Sequence, residues 1–300
     1  VKILVVGGTG LIGGKIALLF KEKGHEVNIG ARKPAPSGTP MKDLPFIQGN
    51  FAEGGFSESE LNSFDWVVFA AGQDFRHVPP GTDVETHWQT ANIEGVPKFF
   101  SRIESAGISR VVNIGSFYPQ AMPHLIQSDP YVRSRALADD GARALASDTF
   151  FVCSLNAPFV LGCMSGLDLP HLEAQSNYAL GRIDGAEEFA IPGGVNFMSA
   201  RSLAEATVGA LERGENGKAY LVGDENLSFE SYFNTYFEAA GRARQLPVLN
   251  KEHPILPDAV LYAGRGGEIY YEPDPQETKC LGYTRNDAKP TICEIVDHYR

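Results

Sequence analysis

A short apolar run, Ile3-Leu4-Val5-Val6, breaks into Gly7-Gly8-Thr9-Gly10-Leu11-Ile12-Gly13, and a helical pattern starts at once behind it, with Ile12, Ile16, Leu19 and Phe20 on one face. No other feature restricts the chain so much. Residues without a Cβ permit a tight strand-to-helix turn and let a phosphate come close to the backbone. The helix behind the turn aims free N–H groups and the positive end of its dipole at the same place. Gly7, Thr9, Gly10, Leu11, Ile12 and Gly13 are therefore candidate pyrophosphate-binding residues. A glycine triplet alone is a weak signal, but a strand before it and a helix after it are the context it needs. The plainer alternative is a structural turn that binds nothing.

The rhythm continues through the first half. Apolar runs at 27–29, 46–48, 66–70, 110–114 and 150–154 alternate with helical patterns at 11–23, 86–106 and 131–147. Short, fully apolar runs spaced by helices predict a parallel sheet covered on both faces, a doubly wound α/β fold of the Rossmann type. Beyond Pro158 the pattern loosens. A helical segment near 172–180 sits in a loop-rich stretch from 162 to 194; helices follow at 202–213 and 228–240, a strand at 219–222, and a last helix from about 291. The expected organisation is a dinucleotide-binding domain at 1–160, to which 195–225 returns, and a smaller C-terminal substrate lobe made of 161–194 and 226–300.

The end of the second strand reads Ile29-Gly30-Ala31-Arg32-Lys33. An acidic residue there would hold the 2′-hydroxyl of an adenosine ribose. Two small residues and two cations instead leave room for a 2′-phosphate and offer it charge-assisted donors. NADP(H) is thus the expected cofactor, ahead of NAD(H), unless Arg32 and Lys33 are only solvated loop charges. The net charge of −11 and the lack of a basic run disfavour nucleic acid and anionic membranes as partners. The four cysteines, Cys153, Cys163, Cys280 and Cys293, form no metal-ligand spacing and read as free thiols of a reducing, cytoplasmic setting. No stretch reads as a signal peptide or a membrane span.

The motifs in order, Gly7 to Gly13, Phe69-Ala70-Ala71-Gly72, Asn92-Ile93-Glu94-Gly95, Ile114-Gly115-Ser116, Tyr131-Val132-Arg133-Ser134-Arg135 and Asn156-Ala157-Pro158-Phe159, resemble the extended short-chain dehydrogenase/reductase superfamily, the NAD-dependent epimerase/dehydratase family. The texture is similar to its dihydroflavonol-reductase-like and sugar-nucleotide epimerase branches. The resemblance implies that Asn50, with Phe51 beside it, meets the adenine. Ala70, Ala71 and Gly72 line ribose and pyrophosphate, Asn92 belongs to the cofactor side, and Pro158 and Phe159 approach the nicotinamide. Ser116 would hydrogen-bond the substrate oxygen, and Tyr131 would be the acid or base. A homodimer formed by the helices at 86–106 and 131–147 is also implied.

The chain departs from the family where the motif Tyr-x-x-x-Lys reads Tyr131-x-x-x-Arg135. A free phenol ionises near ~10, so proton transfer at neutral pH needs a cation beside it. At i and i+4 Arg135 reaches the same helix face as the lysine would. It stays charged, but it is a larger planar fork. Three readings follow. The first is an NADPH-dependent reductase of a ketone or aldehyde on a small metabolite. The second is a sugar-nucleotide epimerase or dehydratase. The third is a non-catalytic NADP(H)-binding sensor. Tyr118 is a rival phenol beside Ser116. His77, His87, His124 and His171 read as surface or substrate-lobe residues, Asp139 and Asp140 as helix-face charges, and Phe117, Tyr178, Phe197, Tyr262 and Tyr270 as pocket lining or, more commonly for such residues, core.

Overall fold

The structure is a computed structural model that describes residues 1–300, the side chain of Phe75 excepted. The first half builds β1 (Lys2–Val6), α1 (Leu11–Glu22), β2 (Glu26–Ala31), β3 (Phe46–Gln48), α2 (Glu58–Leu61), β4 (Trp66–Phe69), α3 (Val84–Trp88), α4 (Gly95–Ser105) and β5 (Arg110–Ser116). Two short helices, α5 (Tyr118–Ala121) and α6 (Leu125–Ser128), lead into α7 (Pro130–Arg143), β6 (Phe151–Ala157) and β7 (Phe159–Leu161). The remainder holds α8 (Pro170–Ala179), β8 (Gly194–Ser199), α9 (Ala200–Arg213), β9 (Ala219–Leu221), β10 (Glu225–Ser228), α10 (Phe229–Ala239), β11 (Glu268–Ile269), α11 (Pro275–Leu281) and α12 (Ala288–His298).

Seven strands form one sheet in the order β3-β2-β1-β4-β5-β6-β9, and every pairing is parallel. The fold is the doubly wound Rossmann type. Its strands are apolar throughout because both faces are covered. Ile3 and Val5 pack with Ile16, Phe20 and Leu203 of α1 and α9, whereas Leu4 and Val6 pack with Phe99, Phe100 and Ile103 of α4. The same alternation sends Val112 and Ile114 to the first layer and Val111 to the second. Strand order reverses between β1 and β4, which opens a crevice at their carboxyl ends.

The second half adds strands to the helices and the strand expected there. β8 runs antiparallel to β10 and parallel to β7 and β11 in a small second sheet. All six residues of β8 are buried. Asn196 is tolerated there because Oδ1 accepts the Asp224 N–H at 2.8 Å and Nδ2 donates to Asn226 Oδ1 at 2.8 Å. Within 195–225, α9 packs on α1 and β9 pairs with β6 of the large sheet, while the strand at 194–199 stays in the small one. The helix expected over 86–106 is broken by a π-helical stretch, Gln89–Glu94. Asn92 lies within it, fully buried, and its Nδ2 donates to the Gln73 carbonyl at 3.2 Å and to Ser134 Oγ at 3.1 Å. No helix among the described residues is long and apolar enough to cross a membrane.

His253 closes the core of the second half. Its ring is 1% exposed and stacks on Phe233 with centroids 4.5 Å apart. Nε2 donates to the Phe189 carbonyl at 3.1 Å while Nδ1 accepts the Ile255 N–H at 3.3 Å. Only a neutral imidazole does both. Burial accordingly pushes this histidine down from 6.5 to about 4. The unfolded chain takes up the proton first, so the stability this ring contributes is full above pH 6.5 and is lost as the pH falls to about 4. The expected loss is on the order of 2–3 kcal/mol. The drop in melting temperature on acidification from about pH 7 to about pH 4.5 should shrink in His253→Phe; an equal drop would clear this ring of the effect.

Candidate active site

The glycine turn lies at the crevice between β1 and β4. Gly7 adopts φ +84°, and a Cβ there would strike the Ala70 carbonyl oxygen behind β4. A Cβ on Gly13 would collide with the Gly7 carbonyl. These two glycines are required by the protein's own packing. Gly10 is different: its φ is −92° and a Cβ would meet nothing nearer than the Gly7 oxygen at 3.7 Å. The fold has room for a side chain at this exposed position and does not use it. Gly10 also begins α1 with no side chain capping its first turn and no acidic residue in it. An uncapped helix start behind an open glycine fits a pyrophosphate, held by the N–H groups of Leu11, Ile12 and Gly13. Thr9, beside them, is half-buried.

Arg32 and Lys33 are exposed just beyond β2. Asn50 spends its side-chain oxygen on the Ala52 N–H at 3.2 Å, which leaves its Nδ2 for a base. The Phe51 ring is buried in the core, edge-on to Phe69 at 4.9 Å, so only its backbone can serve an adenine. Ala70, Ala71 and Gly72 continue along the crevice, all half-buried.

Gly72 leads to the second group. A Cβ there would sit 3.0 Å from Nη2 of Arg135, so the guanidinium lies directly over this glycine. Arg135 Nη1 donates to the Tyr131 hydroxyl at 3.1 Å, and Nη2 reaches the Ile114 carbonyl of β5 at 3.5 Å. The helix carrying both is started by Asp129, whose side chain accepts the Val132 N–H at 2.9 Å, with Pro130 at the first helical position. That cap is worth about 1 kcal/mol. Ser116, nearly buried, ends β5, and the next two residues, Phe117 and Tyr118, share one apolar cluster with Tyr131. Burial, with the Tyr131 phenol adding to it, pushes the Tyr118 hydroxyl well up. Tyr131 alone of the two has a cation against its oxygen. Pro158 is buried between β6 and β7, and Phe159 sets its ring edge-on to Phe117 at 6.2 Å.

Tertiary packing adds partners that spacing does not show. Tyr262, some 130 residues away, stacks on Tyr131 at 4.5 Å and 17°, and Trp88 lies against it at 5.3 Å. Tyr131 is 7% exposed as a result. On the loop behind β4, Asp74 takes Arg76 in a two-pronged pair, with His77 alongside. Burial raises the Asp74 carboxyl, but hydrogen bonds from His77 and Arg76 outweigh it and hold the group well below the usual carboxylate range. Asp140 is exposed as expected for a helix-face charge. Asp139 is not: it is buried, where it receives Asn113 Nδ2 at 3.1 Å and Arg143 Nε at 3.1 Å.

The glycine turn, with Gly7 against Ala70, and the cation–phenol pair, with Gly72 beside the Arg135 guanidinium, therefore stand by the carboxyl ends of the neighbouring strands β1, β4 and β5. The model of the NAD dependent epimerase/dehydratase family matches residues 3–223, which includes all of them. The chain belongs to this family. Among the curated proteins, none matches the sequence significantly. Solved structures of similar fold include that of gox2253, at 19% identity and TM-score 0.77 over 99% of this chain and 97% of that one. The UDP-N-acetylglucosamine 4-epimerase of Bacillus cereus aligns at 16% identity and TM-score 0.71, over 100% and 99%. The Bordetella bronchiseptica enzyme WbmG, solved with NAD, aligns at 19% and TM-score 0.73, over 99% and 93%. As an epimerase/dehydratase family member the chain keeps the tyrosine and carries arginine in place of the motif lysine.

Proposed function

We propose that this chain oxidises or reduces a hydroxyl-bearing carbon of a small molecule, with Tyr131 moving the proton and a nicotinamide dinucleotide held along the crevice. The contact between Arg135 and the Tyr131 hydroxyl at 3.1 Å carries this reading. The Tyr131 oxygen, held by the guanidinium, takes a proton from a substrate hydroxyl when that carbon is oxidised and returns it to the oxygen when a carbonyl is reduced. Ser116 holds that oxygen by a hydrogen bond. Gly7, Gly10 and the first turn of α1 hold the pyrophosphate, with Ala70 to Gly72 along the ribose and Pro158 and Phe159 toward the nicotinamide. The nicotinamide supplies or accepts the hydride.

Epimerisation of a sugar nucleotide, with the dinucleotide retained as NAD, is the better supported form. Relatives of this fold are named as UDP-sugar epimerases, and one is solved with NAD and UDP. Dehydration has less support, because Asp129, the one carboxylate close in sequence to Tyr131, is spent on capping α7. Net reduction with NADPH is the second reading. It is favoured by the exposed Arg32 and Lys33, and by the lack of a carboxylate at the end of β2.

Two assays separate the readings. Purified protein incubated with UDP-glucose or UDP-N-acetylglucosamine should yield the 4-epimer with no net change in nicotinamide absorbance. Stoichiometric consumption of NADPH against aldehydes and ketones would replace epimerisation by reduction. Tight dinucleotide binding with turnover in neither assay would point to a sensor.

A further inference from the structure

The arginine in the motif creates a need that the lysine would not. A guanidinium has five N–H donors in a rigid fork. Arg135 spends one on Tyr131 at 3.1 Å and reaches one carbonyl at a long 3.5 Å. Arg135 lines a cavity of about 10 Å³ together with Gly72, Asn92, Asn113, Gly115 and Asp139 among others. That volume is about one water; Phe69, Val96, Ile114 and Ala138 supply apolar wall, and Asn92, Asn113, Arg135 and Asp139 bring the polar groups that a water needs.

Asp139 is the acceptor on the far side. Arg135, Asp139 and Arg143 follow at intervals of four, so they share one face of α7. Asp139 pairs directly with Arg143, Nε to Oδ2 at 3.1 Å. Its Oδ1 takes Asn113 Nδ2 at 3.1 Å, and Asn156 Nδ2 approaches Oδ2 at 3.5 Å. A carboxylate has about four acceptor sites, so one remains open. The neighbouring Asn156 Oδ1 is buried without a partner among the described residues and lies against Gly115, another wall of the same cavity.

We propose that Asp139 is a positioning residue for the proton-transfer pair: it anchors a single water in this cavity, and the water holds the guanidinium of Arg135 where Nη1 meets the Tyr131 hydroxyl. The water accepts from Arg135 and donates to Asp139. Asp139 touches neither the phenol nor the crevice above it and acts only through Arg135. The assignment rests on Tyr131 being the acid and base of the reaction proposed above.

A crystal structure of the unmodified protein with NAD, at a resolution that shows ordered solvent, gives the direct test. It should show one water within hydrogen-bond distance of both Arg135 and Asp139; an empty cavity, or a direct ion pair between the two, overturns the proposal. Arginine side-chain NMR of the NAD complex gives the second test, with the Arg135 signal assigned by its loss in Arg135→Lys. Asp139→Asn should speed exchange of the Arg135 guanidinium protons by roughly tenfold or more, in line with the loss of a fixed partner, and leave NAD affinity within about twofold. An unchanged Arg135 signal in that variant rejects the role. In the activity assay the same variant should lower kcat by roughly tenfold to a hundredfold with KM little changed, as expected when a reacting group is misplaced by a fraction of an ångström. If the unmodified protein turns nothing over, the proposed reaction fails while the crystallographic and NMR outcomes still decide the water.

Discussion

Tyr131→Phe should abolish turnover and leave dinucleotide binding intact. The substitution removes one oxygen from a ring that is already packed, between Tyr262 at 4.5 Å and Trp88 at 5.3 Å, so the fold loses no apolar contact. It removes the side-chain oxygen to which Arg135 Nη1 donates among the described residues, at 3.1 Å. General acid–base catalysis contributes about a hundredfold to ten-thousandfold, and the loss in kcat should fall in that range. Binding of NAD and NADPH, measured by fluorescence titration, should change by less than about threefold, because the phosphate and adenine ends of the crevice lie on other elements. Loss of both activity and binding would mean that the ring is structural. Retained activity would hand the proton transfer to another group, Tyr118 being the first to examine.

Gly10→Ala and Gly13→Ala should part company. At Gly10 the backbone is ordinary, φ −92°, and a methyl group has clear space, its nearest neighbour being 3.7 Å away. The variant should fold with an unchanged melting temperature. It should nevertheless bind the dinucleotide about tenfold to a hundredfold more weakly, because the added carbon stands where a phosphate must approach and costs one or two charge-assisted hydrogen bonds. At Gly13 the added carbon collides with the Gly7 carbonyl. That variant should lose both stability and binding, since the turn itself has to move. Calorimetry and a binding titration on the two proteins give the result. Equal affinity in Gly10→Ala and the unmodified chain would remove the phosphate from this turn.

The contrast between those glycines marks a general boundary. Glycines at 7, 10 and 13 are visible in sequence, and so is the strand-to-helix context that gives them a use. Which of them serves the fold and which the ligand depends on where Ala70 and Gly7 place their carbonyls, and that is set by β4 pairing with β1. The same holds around the phenol. Tyr131 and Arg135 at i and i+4 must share a helix face, so their contact follows from spacing. Asp139 shares that face by the same rule, yet it read as a surface charge, because nothing local says that Asn113 of β5 will face it from inside the sheet.

The sequence by itself determined the elements whose signal is local and periodic: the strands of the large sheet, the helices between them, the glycine turn, and the tyrosine with its arginine. Their periods of two and of 3.6 residues are properties of the backbone, so a one-dimensional pattern suffices. Only the tertiary structure decided the rest. β8 became a buried strand because Asn196 found Asp224 and Asn226. The helix before β5 loosened at Asn92 because its amide found Gln73 and Ser134. Tyr262 came to rest on Tyr131 from a stretch with no pattern of its own. In each case the deciding partner lies too far along the chain for any local periodicity to announce it, and the energy that settles the matter, a buried polar group satisfied or an aromatic face covered, exists only once the chain has folded.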